Sequence, residues 1–435
     1  MPNFVSTELR IPTLGPCAIS SPGLEREWGR AERSWVPEDA RILLDDRFPA
    51  SHAALESIEL AGPRRTIYFV PAECRFAVVT CGGLCPGIND VIRSLVMHAH
   101  YCYGVSSFLG IPYGYAGLNA ACGHAPISLT PGCVSKIQHL GGSMLGSSRG
   151  QQDAGVMVDR LQQLGVNALF VVGGDGSQRG AREIYLEANR RGLALSVVGI
   201  PKTIDNDLRY MDRSFGYLTA FSEAFRAVSV AHAEARGVRN GIGLVRLMGR
   251  DSGFIACSAA IASAEANFVL IPEVPFQMGG EKGLLSCLEA RLAARGHALI
   301  VVAEGAGQHL MTAEKREQDA SGNVKHRDIG RFLQSEITSY FEEKQIRVNL
   351  RYMDPAYLVR GVVATPEDRV FCLQLARHAV HAAMCGKTGL VVASWHNQFV
   401  HLPVELVAGG RNRVDPSGEL WRTVLESTGQ PATMS

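Results

Sequence analysis

The segment Ala168-Leu-Phe-Val-Val172 is an unbroken apolar run that ends in Gly173-Gly-Asp-Gly-Ser177, and the residues Arg182 to Asn189 beyond it read as a helix. An apolar run without alternation is the pattern of a strand buried on both faces. Such a strand, delivered through glycines into a helix, commits this stretch to a parallel sheet with helices packed on it. Gly173, Gly174 and Gly176 then sit at a strand-to-helix turn, where backbone N–H groups can approach an anion and the helix N-terminus adds a positive dipole end. Asp175 stands inside that anion site. A carboxylate beside phosphates is repulsive unless a cation lies between them, which makes Asp175 a candidate Mg2+ ligand, direct or through water. Taken alone, an ordinary glycine-rich turn with a helix-capping acid reads the same way.

Two further turns add weight. Leu195-Ser-Val-Val-Gly-Ile200 is a second buried strand candidate, and Pro201-Lys-Thr-Ile-Asp-Asn-Asp207 leaves its carboxyl end, the edge of an open sheet where ligands bind. In an extended chain Thr203, Asp205 and Asp207 share one face. One carboxylate could take a hydroxyl proton while the other holds metal or orients its partner. Lys202 is a point charge suited to a phosphoryl group in transfer, a reaction that rests mainly on positioning and charge stabilisation. The bland alternative is a polar Asx-rich turn. Arg75-Phe-Ala-Val-Val-Thr80 reads as a third strand, Cys81-Gly-Gly-Leu-Cys-Pro-Gly-Ile-Asn89 as its glycine-rich turn, and Asp90 onward as a helix start.

GGLCPGIN, GSSRG (Gly146 to Gly150), GGDGS, PKTIDND, LMGRDSGF (Leu247 to Phe254), VVAEGAG (Val301 to Gly307) and GGRNRVD (Gly409 to Asp415) follow one another in the order found in 6-phosphofructokinases. The chain resembles that family from about Arg64 to about Pro431, and within it the longer, ATP-dependent branch that joins GGDGS to PKTIDND. The diphosphate-using branch carries GGDDS, so Gly176 falls at the donor switch: an Asp there would put a side chain and a charge where the α-phosphate of ATP lies.

The resemblance implies an α/β fold of two similar Rossmann-like domains with mostly parallel sheets facing across an active-site cleft. It implies a first domain of 75–216 plus 360–408 for ATP, a second of 217–359 plus 409–435 for the sugar phosphate, and an N-terminal extension of 1–74. The implied reaction moves a phosphoryl group from ATP to the 1-hydroxyl of fructose 6-phosphate, with Mg2+ as cofactor. Gly83, Arg149, Gly150, Gly174, Asp175, Gly176 and Ser177 would line ATP, with Asp175 holding Mg2+. Asp205 would be the general base, and Thr203, Lys202 and Arg250 its catalytic companions. Thr203, Ile204, Asp205, Met248, Gly249 and Arg250 would contact the sugar phosphate, Glu304 would accept sugar hydroxyls, and Tyr357, Leu358, Val359 and Arg360 would close the pocket. Arg351 falls where the family places a basic residue for the 6-phosphate, and Arg suits bidentate phosphate binding. Short bacterial members carry a further phosphate-binding Arg where this chain has Gly241, and HIQRGG is here YLVRGV. The first departure bears on how subunits of the expected homo-oligomer, a dimer or tetramer, share the 6-phosphate; the second means that Tyr357 does not simply inherit the imidazole's role. Diphosphate or another sugar phosphate such as sedoheptulose 7-phosphate is the rival within the fold, and a non-catalytic nucleotide-sensing subunit the rival outside it. The presence of Asp175, Lys202, Asp205 and Arg250 together argues for catalysis.

The rest of the sequence agrees. A length of 435 residues with 46% hydrophobic content suggests roughly two to three domains. A formal net charge of +1 suggests no nucleic-acid partner and no membrane steering. No apolar run approaches the roughly 20 residues of a membrane span. Eleven cysteines without a secretory h-region suggest free thiols in a reducing, cytoplasmic compartment. Cys81 and Cys85 flank the first glycine loop as packing residues that would make it oxidation-sensitive; no second Cys/His pair with zinc spacing accompanies them. Gly386-Lys-Thr388 resembles the end of a Walker A loop, but His381 stands where its leading Gly belongs, and a helix C-cap is the better reading. Gly241-Ile-Gly243 lacks the third glycine of a dinucleotide fingerprint, Arg246 standing there, so no nicotinamide site is expected. Asp328 to Phe341 has apolar residues at helical spacing behind an Asp N-cap, the mark of a core-facing helix. Thr312 to His326 reads as a charged surface loop.

Overall fold

The computed structural model describes residues 9–22, 35–45, 56–311 and 326–434. Among them the strands, in chain order, are β1 (Ile19–Ser20), β2 (Arg41–Leu43), β3 (Ser57–Leu60), β4 (Thr66–Ile67), β5 (Arg75–Thr80), β6 (Ser107–Ile111), β7 (Ile127–Ser128), β8 (Ala168–Gly173), β9 (Ser196–Pro201), β10 (Gly241–Leu247), β11 (Phe268–Leu270), β12 (His297–Ala303), β13 (Asn349–Met353), β14 (Leu390–Trp395) and β15 (Gln398–Pro403). The chain divides into two compact units. The first is Met1–Thr203, Leu208–Gly216 and Val362–Arg411; the second is Ile204–Asp207, Tyr217–Gly361 and Asn412–Ser435.

The first unit holds a nine-stranded sheet of order β2-β3-β15-β14-β9-β8-β5-β6-β7. Its middle five strands, β14, β9, β8, β5 and β6, run parallel. These are the apolar runs, and alternation along each strand feeds both faces. Ala77, Val79, Leu169, Val171 and Val197 enter one core with Met157, Leu161 and Ile184. Phe76 and Phe170 point the other way, their rings meeting edge to face at 5.6 Å. Each such side chain buried contributes about 1.5–3 kcal/mol, which is why the centre of the sheet tolerates no polar interruption. The flanking strands are antiparallel: β7 on β6, and β15, β3 and β2 in succession beyond β14.

The N-terminal segment does not stand outside this unit. β3 pairs with β15, His401 opposite Glu59, and Ile58 is buried in the core with Val391, Val400 and Leu402. Glu59 of this segment is buried, and its Oε1 meets Lys387 Nζ at 2.8 Å, His401 Nδ1 at 2.8 Å and an Arg64 nitrogen at 3.2 Å. An internal ion-pair network, invisible in composition, ties β3 to the sheet.

The second unit holds an all-parallel sheet of order β11-β12-β10-β13. The helix Ile329–Glu343 begins where the sequence predicts: Asp328 accepts the N–H of Arg331 at 3.1 Å, and Ile329, Leu333, Ile337 and Phe341 are buried. Of the expected surface loop Thr312 to His326, residues 312–325 lie outside the described residues. The helix Pro366–Met384 of the first unit closes through Gly386, whose φ of +63° and N–H bond to Ala383 O make it a helix-ending turn, as expected, rather than a phosphate loop. Among the described residues no helix is long and apolar enough to cross a membrane.

Four histidines of the first unit are held neutral. Burial pushes His98 and His378 down to about 3 and His381 and His401 below their ordinary range, although His401 is partly offset by Glu59. Each has one covered ring nitrogen without a hydrogen-bond partner. For Glu59 burial works against ionisation, but His401 and Lys387 outweigh it and hold the carboxyl at about 2. Unfolding therefore takes up protons: the histidine contribution is complete above their unfolded value near 6.5 and is lost as pH falls below it, with Glu59 adding a further loss below about 4.5. The thermal midpoint should be flat above pH 7 and fall progressively from about pH 6.5 to 4. A midpoint that does not change between pH 7.5 and 4.5 would contradict this.

Candidate active site

The first two glycines of the turn after β8 face close neighbours. A Cβ on Gly173 would lie 2.2 Å from Ser177 Oγ, and one on Gly174 would lie 3.2 Å from the Lys202 carbonyl. Gly174 caps the helix Asp175–Arg190, its carbonyl taking the N–H groups of Ser177 and Gln178 at 2.9 and 3.0 Å. Buried Gln178 donates back to Gly173 O at 2.9 Å, and the hydroxyl of buried Tyr115 donates to Ser177 O at 2.5 Å. Gly180 has to be glycine because a Cβ would meet the Tyr115 ring at 2.4 Å. The first helical turn is thus fixed from below, with its N-terminal end available to an anion. Gly176 differs from its neighbours: a Cβ there meets only the Arg179 guanidinium, at 3.8 Å. It lines a cleft of roughly 500 Å³ together with Gly150, Tyr115, Arg179, Gly180 and Glu405, the size range of small-molecule sites.

Asp175 opens the helix. Its Oδ2 lies 3.2 Å from Arg179 and 3.6 Å from Arg411 Nε, while its Oδ1 is covered and has no hydrogen-bond partner. An orphaned carboxylate oxygen at a phosphate-ready helix end fits a hard divalent cation. Among the described residues no group of three or more His, Cys, Asp or Glu could hold a metal. Mg2+ would therefore rest on Asp175, on ligand oxygens and on water, the usual habit of that ion.

The turn after β5 is joined to this one by Lys202, which is buried and donates from Nζ to Gly83 O at 2.7 Å. Its backbone N–H reaches Gly173 O at 3.1 Å. Ser147 Oγ donates to Gly82 O at 2.6 Å and Gly82 N–H to Ser148 O at 3.0 Å, which seats Arg149 and Gly150 beside the same turn. Lys202 is thus a tie between glycine turns as well as a charge. Thr203, the last residue of its segment in the first unit, accepts Ser214 Oγ on its carbonyl at 2.5 Å. Cys81 and Cys85 are buried. Burial pushes the Cys81 thiol up to about 12, which disfavours the thiolate that oxidation uses.

In the second unit the chain from Ile204 to Asp207 bends, and Asn206 takes a left-handed φ of +54°. The expectation that Thr203, Asp205 and Asp207 lie on one extended face therefore fails. Ser252 Oγ instead holds Asp205 O at 2.9 Å and Asn412 N–H holds Asp207 O at 2.7 Å. Asp205 keeps part of its surface open while Oδ1 is covered. Burial, with the charges of Asp207 and Glu304, raises its carboxyl to about 7; the Arg250 N–H and the charge of Arg360 pull the other way. Met248 is buried, and Gly249 has a φ of +128° with a Cβ position 2.5 Å from Ser252 O. Gly305 leaves room for the Arg250 carbonyl, which a Cβ would approach to 1.9 Å. Glu304 is held by Arg246 at 3.1 Å, and Arg246 also pairs with Asp354 at 2.5 Å. His326 donates from Nε2 to the Arg250 carbonyl at 3.1 Å. Burial and the Arg250 charge lower its basicity.

The remaining predicted residues are placed unevenly. Arg351 is exposed on β13, in register with Gly243 of β10. On the short helix Ala356–Gly361, Tyr357 and Leu358 are 88% and 70% exposed, whereas Val359 is only 2% exposed. The Val359 side chain therefore packs inward and has only its backbone to offer a ligand. Tyr115, Gln178, Arg179, Arg246, His326 and Arg411 were not foreseen. Arg179 was within reach as the i+4 partner of Asp175, and Arg411 sits inside GGRNRVD.

Comparison with known proteins gives a consistent result. The family described as Phosphofructokinase matches residues 75–383. A protein named ATP-dependent 6-phosphofructokinase from Amycolatopsis methanolica is 47% identical, over 98% of this chain and 95% of the relative. One of the same name from Borreliella burgdorferi is 42% identical, over 98% of both chains. In fold, the crystal structure of a pyrophosphate-dependent phosphofructokinase from Marinobacter aquaeolei superposes with a TM-score of 0.67 at 19% identity, covering 82% of this chain and 91% of that one.

Because the Asp207 charge adds to the raised proton affinity of Asp205, replacing it with Asn should lower the Asp205 titration midpoint below about 7. Carbon-13 spectra of the carboxyl, recorded across pH 4–9, measure this directly. A midpoint at or above the wild-type value in Asp207→Asn would remove Asp207 from the account.

Proposed function

The chain belongs to the phosphofructokinase family, and on that footing we propose that it transfers the terminal phosphoryl group of MgATP to the 1-hydroxyl of fructose 6-phosphate, giving fructose 1,6-bisphosphate and ADP in glycolysis. The strongest support for this chemistry is Asp205, a carboxyl raised to about 7 by burial and by neighbouring acids. A general base works best with a proton affinity near the operating pH.

The donor sits on the turn after β8. Backbone N–H groups of the first helical turn and the helix dipole face its phosphates, and the glycines Gly174 and Gly176 let them approach. Gly83, Arg149, Gly150 and Ser177 complete this binding surface. Asp175 would hold Mg2+, which would supply positive charge to the phosphate oxygens when bound. Asp205 accepts the proton of the attacking hydroxyl as the new P–O bond forms. Lys202 and Arg250 supply the positive charge that the transferring group needs, the term on which phosphoryl transfer depends most. Thr203, Ile204, Met248 and Gly249 shape the acceptor's surroundings, and Glu304, oriented by Arg246, accepts sugar hydroxyls. Arg351 and Arg360 hold the 6-phosphate, with the backbone around Tyr357, Leu358 and Val359 beside it. The enzyme acts as a homo-oligomer in which Arg351 serves a neighbouring subunit's ligand.

Removing the base tests this reading. Asp205→Asn should lower turnover by about 10²–10⁴ while leaving nucleotide binding nearly intact. A wild-type rate in that variant would take Asp205 out of the mechanism. Donor choice has its own test in Gly176→Asp. The open space around a Cβ at this position means that the variant folds, so its expected loss of ATP use reports on the ligand alone. Unimpaired turnover with ATP would show that the α-phosphate lies elsewhere.

A further inference from the structure

Cys17 lies on a strap that crosses the end of the helix Pro366–Met384. Leu14 N–H donates to Gly386 O at 2.8 Å, Thr388 N–H to Pro12 O at 3.0 Å, and Thr13 bridges to Lys387. At the end of this strap Cys17 Sγ donates to the Cys385 carbonyl oxygen at 3.3 Å, while Cys385 Sγ donates to Thr66 O at 3.8 Å. Both residues line a second cavity of roughly 290 Å³, shared with Thr13, Glu38, Thr66 and Lys387. Both cysteines are free; Cys17 is partly exposed and Cys385 buried. The neighbouring Cys385 side chain, helped by the charges of Lys387 and Arg64, lowers the Cys17 thiol to about 7 against the opposing effects of burial and Glu38. Burial does the reverse to Cys74, Cys81, Cys257 and Cys372, whose thiols are all raised.

We propose that Cys17 and Cys385 are a reactive thiol pair that closes reversibly into an intramolecular disulfide when the protein meets a peroxide. The Cys17 thiolate attacks one peroxide oxygen, the O–O bond breaks, and hydroxide leaves, giving a sulfenic acid. Cys385 sulfur then attacks the Cys17 sulfur, the S–S bond forms, and water departs with the Cys385 proton. Two thiols are oxidised by two electrons and one peroxide is reduced to two waters. The resolving thiol is sheltered and lines the same cavity as Cys17, so the sulfenic acid is captured before further oxidation. The bond would lock the strap onto Gly386 to Thr388. That segment supports the start of β9, since Ser196 Oγ donates to Lys387 O at 2.6 Å and Val197 N–H to Thr388 Oγ1 at 3.0 Å.

The full-length protein treated with graded hydrogen peroxide, then alkylated and digested, tests this by peptide mass spectrometry. A Cys17–Cys385 cross-linked peptide, lighter by two hydrogens, should appear, should vanish on dithiothreitol treatment, and should be accompanied by a thermal midpoint raised by several degrees, because the bond closes a long loop. Cys385→Ser should abolish the cross-link and leave Cys17 as a sulfinic or sulfonic acid. The proposal is overturned if wild-type Cys17 goes to sulfinic or sulfonic acid, pairs with a different cysteine, or stays a free thiol at peroxide levels that oxidise exposed Cys122 and Cys133.

Discussion

The ammonium of Lys202 donates to the carbonyl of Gly83 at 2.7 Å while its backbone N–H holds Gly173, so one residue at the end of β9 grips the turns that follow β5 and β8. These three strands are neighbours in the sheet, in the order β9-β8-β5. Their glycine turns leave the same edge, and glycine backbone has no side chain with which to fix itself. A charge-assisted hydrogen bond of about 1.5–3 kcal/mol does so instead. Ser147 and Ser148 extend the grip to the loop that carries Arg149 and Gly150. A phosphate surface made of N–H groups is only as good as the immobility of those groups.

The two carboxylates of the proposed site have surroundings opposite in sign. Asp175 is met by Arg179 and Arg411, with one oxygen left without a hydrogen-bond partner; it suits a cation ligand. Asp205 is met by the charges of Asp207 and Glu304, with one oxygen covered and part of its surface open; it suits a proton acceptor. The sequence distance between them says nothing of this difference, which comes from what each unit packs around its own aspartate. Arg246 has a part in it, because by fixing Glu304 it also fixes one of the charges that Asp205 senses.

The strands that place these residues were legible because β5, β8 and β9 are buried on both faces and therefore written in consecutive apolar letters. The first glycine turn was legible for a similar reason: Gly173 answers to a steric demand that no other residue meets. Legibility ended where the determinant is not local. The bend at Asn206 is imposed by Ser252 and Asn412, each remote in sequence. The inward turn of Val359 depends on packing, and its helical neighbours Tyr357 and Leu358 gave no sign of it. Arg411 reaches Asp175 from the far end of the chain. The N-terminal strands were missed because Glu59 reads as a surface residue until Lys387, Arg64 and His401 are seen around it.

The central claim is that an ATP-specific donor turn and an Asp205-centred acceptor site belong to one reaction. Initial rates with ATP or diphosphate as donor and fructose 6-phosphate as acceptor, with the product identified by phosphorus-31 NMR, test it most directly. The account predicts that ATP supports turnover, that diphosphate supports far less, and that the new phosphate is on the 1-oxygen with the 6-phosphate unchanged. Faster turnover with diphosphate, or phosphate delivered to any other position, would contradict it.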